Sequence, residues 1–123
     1  AGHVANAAYW FEISTGNWIS SSWYLSALPE WVTKFNNRKL PAEYLKKPWT
    51  TLLPIESYTE STSDDNAYED IYAGETKPVF PHDFPTIGPN NYDLVRHSPY
   101  GNQLTKEFAL AAMKAEELGN KLW

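Results

Sequence analysis

The chain has 123 residues, a formal net charge of −5 and a pI of about 5.1, with 20% charged and 42% hydrophobic residues. That length fits one domain, and that balance belongs to a globular chain rather than a disordered one. No basic patch of the kind nucleic acid requires is visible, no apolar run approaches the ~20 residues of a membrane span, and the absence of cysteine excludes disulfides, thiolate metal sites and cysteine nucleophiles. Six Trp, eight Tyr and five Phe bring the aromatic share to 15%. Large rings either build the core or form a stacking surface for sugars or bases, and composition leaves both open.

Ala8 to Ile13 reads as a strand rich in aromatic and branched residues, Ser14 to Asn17 as a turn, and Trp18 to Trp23 as the returning strand of a β-hairpin. Tyr9, Phe11 and Ile13 then share one face, with Trp10 and Glu12 on the other. Leu28-Pro29 opens a helix that carries Leu28, Trp31, Val32 and Phe35 on one side and ends at Asn36-Asn37. A second short helix starts at Leu40-Pro41, runs through Tyr44 and Leu45, and is stopped by Pro48. From Trp49 to Pro89, five prolines break any long element, and the rings at Trp49, Tyr58, Tyr68, Tyr72, Phe80 and Phe84 imply that this stretch packs onto something. The last element is a long helix with Ser98 as N-cap and Pro99 as first residue. Its apolar stripe is Leu104, Phe108, Ala111, Ala112, Ala115 and Leu118, suited to lying close against a sheet, and Gly119-Asn120 is its stop.

Few residues suggest chemistry. His3, His82 and His97 are far apart and lack the i, i+4 spacing of a helical zinc motif. His82-Asp83 is the most suggestive pair, because both residue types ligate metals, but two residues fit a structural role better. His3 could border a site built elsewhere. Asp64-Asp65 with Glu69-Asp70 resembles a loose calcium loop without the ordered spacing of an EF-hand, and reads better as a solvated acidic loop. Ser20, Ser21 and Ser22 have no nucleophile elbow around them, and Gly16, Gly74, Gly88 and Gly101 make no phosphate loop. No catalytic, cofactor-binding or metal-ligating residue is assigned.

Two stretches carry a family resemblance. One runs from Ala1-Gly2-His3 through Ala7-Ala8-Tyr9-Trp10-Phe11, Gly16-Asn17-Trp18-Ile19-Ser20-Ser21-Ser22, Leu28-Pro29-Glu30-Trp31-Val32 and Phe35-Asn36. The other joins Phe80-Pro81-His82 to Ser98-Pro99-Tyr100-Gly101-Asn102, Thr105-Lys106-Glu107-Phe108-Ala109 and Glu117-Leu118-Gly119. Together they resemble the type I phosphodiesterase/nucleotide pyrophosphatase branch of the alkaline phosphatase superfamily, close to the phosphate-irrepressible bacterial enzymes. The resemblance implies a secreted or periplasmic hydrolase of phosphate esters, an α/β sandwich with two zinc ions, a Thr or Ser nucleophile and a Lys-x-Arg phosphate clamp. None of those groups maps onto this sequence. The nucleophile and clamp fall before Ala1, and an Asp-x-x-x-His metal pair falls after the final helix. The acidic chain attracts no phosphate ester by its net charge, so metal ions or outside residues must supply that attraction.

The expectation is therefore an α+β fragment of a larger α/β sandwich, one partial domain over 1–123, with 49–89 a surface elaboration that borders the substrate entrance. It contributes scaffolding, is inactive alone, and has the rest of the parent polypeptide as its partner. Its exposed sheet edge and apolar helix stripe favour self-association. A carbohydrate- or partner-binding module is the competing reading, from the rings set among acidic and amide residues near Tyr68 and Tyr92.

Overall fold

The computed structural model describes residues 4–119, so His3 and Asn120 lie outside the described residues. Its elements are strands β1 (Trp10–Glu12) and β2 (Asn17–Ile19) and helices α1 (Glu30–Asn36), α2 (Leu40–Tyr44), α3 (Phe84–Ile87), α4 (Asp93–Arg96) and α5 (Pro99–Ala115). This is the expected α+β set, with two short helices added.

The hairpin is antiparallel, with Phe11 opposite Trp18 and Trp10 opposite Ile19. Its turn needs Gly16, which sits at φ 70 while its amide donates to the Glu12 carbonyl at 2.8 Å. The Ser14 and Thr15 hydroxyls donate to the Glu12 carboxylate and hold it below the usual carboxylate range. The strands are three residues long, half the expected length, because Ile13 enters the turn and 22–24 form a turn of their own. Phe11 and Tyr9 face the core as expected; Ile13 is exposed.

Asn36, expected only as a helix end, ties the hairpin to α1. Its Oδ1 accepts from the Trp18 amide at 2.8 Å and its Nδ2 donates to the Trp18 carbonyl at 2.9 Å, completing a backbone rung as a neighbouring strand does. Trp18 then stacks on Phe108 of α5, with ring centroids 4.0 Å apart. Tyr9, Trp31 and Phe35 pack edgewise or tilted around the same Phe108 ring.

Helix α5 is the hub, packing on α1, α2 and α4. Val32, Phe35, Leu45, Phe84, Leu94, Val95, Leu104 and Phe108 form one buried cluster. The stripe of α5 therefore packs on helices and hairpin rings rather than on a sheet. Only its first four residues are used, since Ala115 and Leu118 are exposed. The tight crossing of α4 and α5 explains Gly101: a Cβ there would lie 2.8 Å from the Val95 carbonyl oxygen. Ser98 occupies the N-cap position, but its hydroxyl donates back to the Val95 carbonyl at 3.1 Å instead of capping α5. At the other end the helix stops at Ala115, before Gly119, in a turn where Glu117 takes φ 50.

The stretch 49–89 divides in two. Residues 52–63 are exposed, while Pro78, His82, Phe84 and Gly88 are buried. Of the rings expected to pack, Phe84 lies in the core of this chain and Trp49 and Tyr72 pack against it, whereas Tyr68 is 94% exposed and Tyr58 is exposed too, so for these two the expectation fails.

Candidate functional site

The one buried polar side chain of the described core is His82. Trp49 and His82 form an isolated antiparallel bridge, with amide-to-carbonyl distances of 2.9 and 3.0 Å in the two directions. The bridge fixes the His82 backbone, and four rings then enclose its imidazole: Phe80 at 4.7 Å, Tyr72 at 5.0 Å, Trp49 at 5.1 Å and a stacked Phe84 at 6.4 Å between centroids. Nδ1 meets Glu75 at 2.9 Å and 3.2 Å from its two carboxylate oxygens. Burial, reinforced by the Glu75 charge, raises the pKa of the neighbouring Tyr72 phenol. That phenol donates to the His97 carbonyl and fastens 72–75 to the end of α4.

A carboxylate-oriented imidazole is a common element of acid–base sites. Here the described residues give the ring no hydrogen-bond partner besides Glu75, and so no hydroxyl is hydrogen-bonded to it. The arrangement is a clasp that closes the excursion between Trp49 and Phe84. Glu75 was not singled out by sequence. It is the only acidic residue between Asp70 and Asp83, which marks it as the available partner once His82 is known to be buried.

Trp49 and Phe80 also form a wall between two surface depressions. The larger, about 1070 Å³, has Trp49, Tyr58, Phe80, Tyr100, Glu56 and Glu69 in its lining. The smaller, about 520 Å³, reaches toward Tyr72, His82 and His97. The larger groove is held in shape by the Leu53 amide donating to the Tyr58 hydroxyl at 3.1 Å and the Tyr100 hydroxyl donating to the Pro48 carbonyl at 3.2 Å. The Phe80 amide donates to Asp64 at 2.9 Å, and Lys77 pairs with Asp65.

The other candidates separate. Asp83 accepts from the Thr86 hydroxyl at 2.7 Å, at the start of α3, and does not join His82 in a common site. His97 lies 3.7 Å from Asp93, which also pairs with Arg96. Asp64 and Asp65 are engaged by Phe80 and Lys77, so the acidic loop presents no ligand cage with Glu69 and Asp70. Ser20 donates to the Ala8 carbonyl at 2.7 Å, a structural bond beside the hairpin. Among the described residues no group of three or more His, Cys, Asp or Glu side chains is placed to hold a metal ion. The donor set of a zinc pair does not fit these residues.

Three comparisons bear on this arrangement. No protein-family model matches the chain. Over 98% of its length it is 48% identical to a Myroides odoratus protein named calcium-transporting ATPase, and over 96% it is 48% identical to alkaline phosphatase PhoV of Synechococcus elongatus. It is 39% identical over 97% of its length to alkaline phosphatase PafA of Elizabethkingia meningoseptica. The crystal structure of wild-type PafA superimposes with a TM-score of 0.91 at 38% identity, covering 98% of this chain and 23% of that one. The chain spans about 22% of the length of each of these curated relatives.

Proposed function

The chain corresponds in sequence and fold to a segment of alkaline phosphatase superfamily proteins, and from that premise we propose that it is a scaffold segment of a longer, metal-dependent phosphoric ester hydrolase. The observation that carries the reading is the superposition on PafA over 98% of the chain at a TM-score of 0.91. Insertion of an unrelated loop does not preserve a backbone to that degree; a shared architecture does.

In this reading the chain supplies shape. The Phe108 ring cluster and the His82–Glu75 clasp hold a rigid block, and the nucleophile, the phosphate clamp and two zinc ions belong to the remainder of the polypeptide. The protein is secreted or periplasmic and belongs to the type I phosphodiesterase/nucleotide pyrophosphatase branch, as the resemblance of its sequence implies. The 49–89 stretch borders the substrate entrance. The test is expression of the full-length protein and assay with nitrophenyl phosphate and bis-nitrophenyl phosphate, before and after chelation. Hydrolysis lost on chelation and regained with zinc is expected, with none from residues 1–123 alone. Trp49→Ala or Tyr58→Ala in the full-length enzyme should change the ratio of rates on bulky and small esters, and an unchanged ratio removes the entrance role. The name of the Myroides odoratus relative offers a different reading: ATP-dependent calcium uptake by vesicles carrying the protein, without ester hydrolysis, would favour it.

A further inference from the structure

Charge is distributed unevenly along the chain. Residues 48–76 hold seven of the fifteen carboxylates and none of the ten lysines and arginines, so the whole net negative charge resides in this excursion. The excursion supplies most of the lining of the 1070 Å³ groove, which includes four rings: Trp49, Tyr58, Phe80 and Tyr100. One carboxylate of its lining, Asp64, already has a partner in the Phe80 amide, and the adjacent Asp65 is paired with Lys77. Glu56 and Glu69, also in the lining, have carboxylates with no partner among the described residues. Leu52, in the same lining, is 93% exposed.

Ring faces carry a negative quadrupole and attract guanidinium or ammonium groups, and carboxylates beside them add charge-assisted hydrogen bonds. Arginine suits such a place best, since its plane stacks on a ring while its edge meets a carboxylate. Rings and unpaired carboxylates lining one groove therefore select a cationic occupant. The chain spans about 22% of its relatives' length, which leaves most of a longer polypeptide to supply one. We propose that this groove docks a basic, arginine- or lysine-bearing segment from the part of the longer protein outside residues 1–123, its cations set over Trp49 and Tyr58 and paired with Glu56 and Glu69. The proposal rests on the reading of the chain as part of a longer hydrolase, and it adds where the remainder attaches and by what chemistry.

The experiment uses the full-length protein with Leu52 replaced by the photoreactive p-benzoylphenylalanine. Irradiation followed by peptide mass spectrometry should give an intramolecular cross-link to a segment containing arginine or lysine. Its yield should fall several-fold in the E56K/E69K background and with added salt, and stay near the parent value in E56D/E69D. The same photoreactive residue at exposed Leu110, on α5, should not give that cross-link. A cross-link to a second copy, to another protein or to a segment without basic residues overturns the proposal, as does none at all or a yield indifferent to charge reversal. Ester hydrolysis is read separately on the same preparation. Its absence sinks the hydrolase reading while leaving the cross-link to decide the docking.

Discussion

Glu75 and His82 show what one buried pair does for this chain. Removing a hydrogen-bond partner strands the other group in an apolar cage, at a cost of about 1–3 kcal/mol. Glu75→Ala is expected to lower stability by about that amount, while Glu75→Gln, which keeps an acceptor, should lose less. Urea unfolding monitored by tryptophan fluorescence, with Trp49 5.1 Å from the imidazole, checks both. Equal losses would show that the hydrogen bond is not what matters. Tyrosines set the alkaline limit. Burial is the leading cause of the raised pKa at Tyr9, Tyr44, Tyr72 and Tyr100, with nearby glutamates adding to it at the first three. A phenol that holds its proton more tightly when folded contributes stability that is complete below the unfolded value of 10.0 and is lost as pH rises through the folded value. The urea midpoint should thus fall as pH rises beyond about 10, and Tyr72→Phe, Tyr100→Phe should flatten that fall. A midpoint that rises over the same interval contradicts this account.

The two ends of α5 separate what sequence could show about elements from what it could not. Ser98-Pro99 located the start of the helix to the residue, because proline's fixed φ and missing amide suit a first turn whatever surrounds it. Gly119 marked the stop too late. The chain turns at Glu117, where the Leu118 amide donates to the Met113 carbonyl at 3.0 Å and the Glu116 amide to the Ala112 carbonyl at 2.9 Å. That pattern asks for a left-handed residue, and Glu117 accepts φ 50 despite its side chain. It also puts a carboxylate at the negative end of the helix dipole. Glu117→Gly should therefore stabilise the chain by about 0.5–1 kcal/mol, net of glycine's greater unfolded-state freedom, and a lower urea midpoint would refute the strain. Helices α1 and α2 were legible from proline and apolar spacing. Helices α3 and α4 were not, since four residues carry no period and their formation rests on burying Phe84, Leu94 and Val95. The His82 site was half legible: the sequence pointed to His82 and paired it with its neighbour Asp83, whereas the partner is Glu75, brought in by a loop that no local signal describes.

At the scale of the whole molecule, the core is closed on one side of α5 and open on the other. Leu104 and Phe108 are buried, while Leu110 and Met113 on the outward face are 55% and 52% exposed. The two-stranded sheet adds an outer face on which Trp10 is 47% exposed beside its cross-strand partner Ile19, and among the described residues each strand has a neighbouring strand on one side alone. Isolated apolar residues on a surface need no explanation, but exposed apolar residues on a helix together with a short sheet whose β2 edge is closed only by the Asn36 side chain at Trp18 make a surface that associates. In a protein more than four times as long, as the relatives are, such a surface is where further layers pack. Residues 1–123 produced alone should therefore show an apparent mass by light scattering that grows with concentration, and L110K/M113K should bring it back toward the monomer. The net charge of −5 opposes association weakly at low salt and less as salt is added, so the growth should be steeper at high ionic strength. A mass that stays monomeric at every concentration and salt level would mean that these faces are finished surface.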